Sequence, residues 1–120
     1  MQAQALPLAD LSFNALGDPT RRAIFEKLQN GPLAVVHIAD GMSVSRPAVS
    51  QHLKVLKEAK LININQQGTR SICEINQEGI RAIRNYLDRF WNESLAAFKT
   101  LAEKEEKNKQ QKINTHKTPI

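Results

Sequence analysis

The 120-residue chain has one cysteine, one tryptophan, one tyrosine and no apolar run approaching 20 residues. A lone cysteine excludes an internal disulfide framework and any cysteine-rich zinc site. Without a run of about 20 apolar residues no membrane span is expected. No charged start followed by an apolar stretch reads as an export signal, so a soluble protein of the reducing cytoplasm is expected. Also missing are a glycine-rich phosphate loop, an HExxH pair, and any nucleophile with a base and an orienter, so no enzyme is expected.

What the chain does have is uneven positive charge. Lys and Arg number 17 against 12 Asp and Glu, a formal charge of +5. Residues 19–60 carry seven bases and three acids, whereas residues 1–18 carry two acids and no base. A short, basic, helical block is where a polyanion is expected to bind. Charge alone does not choose among phosphate-bearing partners.

Length and an apolar content of 41% fit one domain. The reading is an N-terminal arm over 1–10, a body over 11–104 and a polar, Lys-rich, unstructured tail over 105–120. That tail is either a solubilising end or a source of extra attraction to polyanions. The spacing of Leu8, Leu11, Ala15 and Leu16 predicts a first helix closed by a left-handed Gly17. Asp18-Pro19 then opens a second helix with a side-chain cap, and Ala23, Ile24, Phe25 and Leu28 form its buried side. A short helix runs from about Val35 to Gly41. Ser45 caps a longer one to about Lys60, with Pro47 in its first turn and Val49, Leu53 and Leu56 inward.

Leu61 to Gln66 and Ser71 to Asn76 read as two strands joined at Gln67-Gly68-Thr69, with Arg70 just past the tip. From about Gln77 a long helix extends toward Glu105 with two apolar seams. Ile80, Ile83, Leu87, Phe90, Ser94, Ala97 and Leu101 mark one; Trp91, Leu95, Phe98 and Ala102 mark the other. One seam is expected on the chain's own core and the other on a second copy. Phe90, Trp91 and Phe98 also admit a second reading as a ligand pocket between subunits.

Ile38, Ala39, Met42, Val44, Val49 and Leu53 have helix-turn-helix spacing, which offers the second helix to a major groove about 12 Å wide. Its outer face carries Arg46, Ser50, Gln51, Lys54 and Lys57, cations and short hydrogen-bonding groups suited to an anionic surface. Arg46, Gln51 and Lys54 are candidates for base edges or nearby phosphates, Ser45 and Ser50 for phosphates, and Lys57 and Arg70 for added charge. His52 adjoins the apolar stripe, where partial burial and a phosphate contact are both open. Arg21 and Arg22 read as solvent-facing or as partners in a structural ion pair.

Three separated stretches carry a family resemblance: Leu16-Gly17-Asp18-Pro19-Thr20-Arg21-Arg22, Ser45 through Ala59, and the Gly68-Thr69-Arg70 tip. In that order and spacing the chain resembles, over about residues 11–102, the ArsR family of winged-helix transcriptional repressors. The resemblance implies a mainly α, winged helix-turn-helix fold with a small two-stranded β-wing. It also implies a homodimer formed by the first and last helices, with Leu8, Leu11, Phe90, Trp91, Leu95 and Phe98 as candidate contacts. Two recognition helices would then meet successive major grooves of an inverted-repeat operator on double-stranded DNA. Lys60 stands where the family usually has glycine.

Many members of that family release DNA on binding a metal. Where such relatives carry Cys-x-Cys on the helix before the recognition helix, this chain has Val35-Val36-His37-Ile38. Where others pair Asp and His on the last helix, it has Asp88 and Glu93, with no histidine between His52 and His116. No metal and no other cofactor are therefore expected. Cys73 alternates inward with Ile75, as an inert packed thiol would. The resulting expectation is a metal-independent repressor, with its own promoter as one candidate target and any small-molecule inducer unknown. A metal- or thiol-responsive repressor and a winged-helix module that binds protein are the alternatives.

Overall fold

Local sequence signals account for most element boundaries. The computed structural model describes residues 6–116. Residues 1–5 of the expected arm and 117–120 of the expected tail lie outside the described residues. Helices α1 (Leu8–Gly17) and α2 (Pro19–Lys27) lead through a 3-10 turn (Leu28–Asn30) into β1 (Leu33–Ala34). Then come α3 (Val35–Ala39), α4 (Arg46–Glu58), β2 (Ile62–Gln67), β3 (Arg70–Ile75) and α5 (Gln77–His116). Among the described residues, those up to Asn85 form one compact unit and those from Tyr86 another.

In the first unit α1 to α4 and the sheet enclose Ala15, Ile24, Leu28, Ile38, Val49, Leu53, Leu56, Leu61, Ile62 and Cys73. The buried positions of α4 are the Val49, Leu53 and Leu56 stripe. Ala23 is exposed instead of inward, and that side of the second helical segment is filled by buried Ile24 and Leu28 with partly buried Phe25 packed against the core. The expected two-stranded wing is part of a three-stranded antiparallel sheet in the order β1-β3-β2. Leu33 pairs with Cys73 and Ala34 with Ile72, while Ile62 to Gln67 pair with Ile75 to Arg70. Gly68, at φ 61°, takes the first of the two loop positions, which suits a type II′ hairpin.

Both caps expected between α1 and α2 are built differently. Gly17 has no left-handed backbone and is itself the last residue of α1. That end is closed by arginines: Arg21 Nε donates to Ala15 O at 2.8 Å, Arg21 Nη2 to Asn14 O at 3.1 Å, and Arg22 Nη1 to Leu16 O at 3.0 Å. Asp18 stands at the N-cap of α2 but makes no side-chain cap bond. Its carboxylate lies instead 3.7 Å from Arg21 Nη1 and 3.7 Å from His52 Nδ1.

Several hydrogen bonds converge at the C-terminus of α4. Leu61 N donates to Leu56 O and Lys60 N to Lys57 O, each at 3.0 Å, the paired bonds of a Schellman motif. That motif needs a left-handed residue, and here it is Lys60 at φ 57°. Three further donors converge on the following carbonyls: Ser12 Oγ on Ala59 O at 3.0 Å, Gly79 N on Lys60 O at 2.7 Å and Asn76 N on Leu61 O at 2.9 Å. Ser12, fully buried, is so accounted for. A side chain in the left-handed region costs about 1–2 kcal/mol, partly offset by glycine's greater freedom when unfolded. Lys60→Gly is therefore expected to raise stability by about 1 kcal/mol, roughly 4–8 °C in Tm, by thermal melting. No rise would mean that the turn carries no strain.

The last helix departs from the sequence reading twice. Ile80 and Ile83 pack on the core, but Leu87, Phe90 and Leu101, expected on that same seam, are exposed along with Trp91, Leu95 and Phe98. The helix also continues to His116, where an unstructured tail is expected. Its later residues are mostly Glu, Lys and Gln, good helix formers, and Glu103 with Lys107 and Glu105 with Lys109 have the favourable i,i+4 order.

Candidate nucleic-acid interface

Ser45 and the hairpin position the basic face. The Ser45 hydroxyl oxygen accepts from Ala48 N at 3.2 Å, fixing the start of α4 and leaving its O–H free to donate. With Val49, Leu53 and Leu56 buried, helical geometry turns Arg46, Ser50, Gln51, Lys54 and Lys57 outward, and all five are exposed. Met42 and Val44 pack beneath the turn between α3 and α4. Lys27 Nζ, donating to Ile38 O at 3.1 Å, holds the end of α3.

Arg46 and Ser50 share a cleft with Thr69, Arg70 and Ser71 of the hairpin, floored by Ala34, Val35, Val36, Leu53 and Ile64, with a volume of about 350 Å³. The structure thus brings Arg46 and Arg70 together from elements 24 residues apart in sequence. Neither guanidinium forms an ion pair among the described residues. Thr69 and Ser71, absent from the sequence-based set, join this cleft because the two-residue loop returns them beside Arg70. Ser71 donates its hydroxyl to Gln66 Oε1 at 2.8 Å.

A second hollow, of about 380 Å³, is lined by Lys54, Lys57, Glu58, Lys60 and Asn63. Lys60 and Asn63 also escaped sequence reasoning; the three-residue spacing of the lysines was the available signal. His52 is half-buried beside Asp18 and is not brought to the exposed arc. Arg21 and Arg22 are committed to the end of α1. Leu8 is half-buried and Leu11 packs on the core, whereas Phe90, Trp91, Leu95 and Phe98 are all exposed. Burial pushes the Cys73 thiol up to about 11, so it stays protonated and weakly nucleophilic at neutral pH. Among the described residues no three His, Cys, Asp or Glu side chains are grouped to hold a metal, and no helix is long and apolar enough to cross a membrane.

A helix pair packed on the core by one side, with a basic second helix beside a basic hairpin, defines a helix-turn-helix DNA-binding domain. A helix-turn-helix domain model matches residues 16–65. The chain is 49% identical over 96 residues to the HTH-type transcriptional regulator Rv2034 of Mycobacterium tuberculosis, covering 80% of this chain and 90% of that one. It is 32% identical over 80 residues to the transcriptional repressor SdpR of Bacillus subtilis, covering 67% and 89%. The crystal structure of an ArsR family transcriptional regulator superposes with a TM-score of 0.68 at 30% identity, covering 76% and 94%. The protein is a transcriptional regulator with a helix-turn-helix DNA-binding domain. It belongs to the ArsR family of winged helix-turn-helix regulators.

Proposed function

We propose that the protein is a homodimeric repressor that binds an inverted-repeat operator and needs no metal to do so. The observation that carries this reading is the exposed face of α4, whose cations pair with no acid among the described residues and which opens onto Arg70 across one cleft. Thirteen residues make α4 about 20 Å long, enough to lay its first half in a major groove. Arg46, Gln51 and Lys54 read base edges or adjacent phosphates. Ser45 and Ser50 hold phosphates, and Lys57 and Arg70 add charge. His52, drawn to Asp18, is left out of the contact set.

Exposed Phe90, Trp91, Leu95 and Phe98 support a second copy as partner, since so many apolar groups in contact with water mark an association surface. Repression is favoured by the likeness to SdpR, a transcriptional repressor. Metal independence is favoured by the sequence, which has Val35-Val36-His37-Ile38 where metal-responsive relatives carry Cys-x-Cys. In a fluorescence-anisotropy titration, log affinity is expected to fall linearly with log salt, and Lys54→Ala to lower that slope by about 1 per subunit. An unchanged slope removes Lys54 from the phosphate set. Affinity that is feeble and equal for every duplex overturns the reading altogether.

A further inference from the structure

We propose that Lys60 is a contact to the DNA sugar-phosphate backbone, closing a lysine rail at the end of α4 far from the hairpin tip. The proposal rests on the DNA-binding reading above and extends its footprint beyond the helix itself. Two independent observations carry it. The first is conformational: Lys60 adopts φ 57°, a region where glycine is at ease and a lysine is not. Its backbone is held there by both of its polar groups, the N–H donating to Lys57 O and the carbonyl accepting from Gly79 N. Nothing in those bonds calls for a side chain. A non-glycine residue kept in a strained conformation points to a use for its side chain.

The second observation is spatial. Lys60 is exposed and lines the same hollow as Lys54 and Lys57, which belong to the charged face of α4. Three ammonium groups there meet one carboxylate, Glu58, which forms no ion pair with any of them. Asn63 completes the wall: its Oδ1 accepts from Asn76 Nδ2 at 3.0 Å, leaving its own amide N–H groups free to donate. Such a hollow offers ammonium and amide donors without competing internal partners. Phosphate oxygens on a strand edge, spaced along a groove in which the helix lies, match that chemistry.

The two observations combine into a test with opposed readouts. Lys60→Gly relieves the backbone and deletes the charge, so Tm is expected to rise while DNA affinity falls. A phosphate contact contributes about 0.9 to the log–log salt slope, which amounts to about a fivefold affinity factor at 0.15 M salt relative to 1 M. Loss of about fivefold per subunit, with a slope lower by about 0.9 per subunit, is therefore expected for Lys60→Gly and also for Lys60→Asn, which tolerates the left-handed turn without charge. Lys60→Arg is expected to keep the slope. If the glycine and asparagine variants bind with wild-type affinity and slope, Lys60 is only solvated surface and the proposal is overturned. If the wild-type protein itself shows no salt-dependent, sequence-selective binding, the DNA-binding reading fails, and this proposal with it.

Discussion

Gly79→Ala is expected to cost about 3 kcal/mol, seen as a fall in Tm on the order of 10–20 °C. A Cβ built there would lie 2.6 Å from Ala59 O, 2.8 Å from Lys60 O and 2.9 Å from Leu61 Cδ2. Two of those three neighbours are backbone, and the hydrogen bond from Gly79 N to Lys60 O at 2.7 Å opposes any retreat. Relief requires moving either the start of α5 or the Schellman turn, and each is tied to buried groups. Urea unfolding followed by circular dichroism measures the loss. A cost below about 1 kcal/mol would show that the junction yields, and that α5 is not locked to the end of α4.

Glutamate at both Trp91 and Phe98 is expected to leave the first unit folded, to abolish self-association and to lower operator affinity at least 100-fold. The two side chains are 61% and 67% exposed, so polar replacements there disturb no core. Across a dimer each aromatic would bury roughly 150–250 Å² at about 25 cal/mol per Å², so removing them from both copies takes several kcal/mol from the association. Two linked DNA-reading surfaces typically gain about 10²–10⁴ in avidity over one, which sets the expected loss. Light scattering reports the mass and anisotropy the affinity. A double variant that remains dimeric would place the contact between copies elsewhere.

The readable parts of the chain were those in which one local signal decides the outcome. Ser45 caps α4 because its hydroxyl reaches a nearby orphan N–H, and the alternation around Gly68 fixes a hairpin. Asp18 misled because capping competes with longer-range pairing. Arg21 and His52 arrive from one turn and from another helix, which sequence spacing does not reveal. Strand β1 has two residues, too few for a periodicity, and exists because β3 offers it a free edge. The left-handed turn at Lys60 was signalled only by the glycine usual there in the resembling family, since a lysine by itself announces no such turn. For the interface, helical spacing gave the arc on α4, but the companions of Arg46 and of Lys54 came from folding the hairpin and the turn back against the helix.

The pairing of Leu33 and Ala34 with Cys73 and Ile72 has a mechanical consequence. Because α3 starts at the very next residue, the rungs that brace the hairpin also anchor the entry to the helix-turn-helix. Hairpin root and the start of α3 are therefore tied at one place in the sheet. Residues added or removed at the Gly68 tip would change how far the hairpin extends, while its root stays fixed by the two rungs to β1.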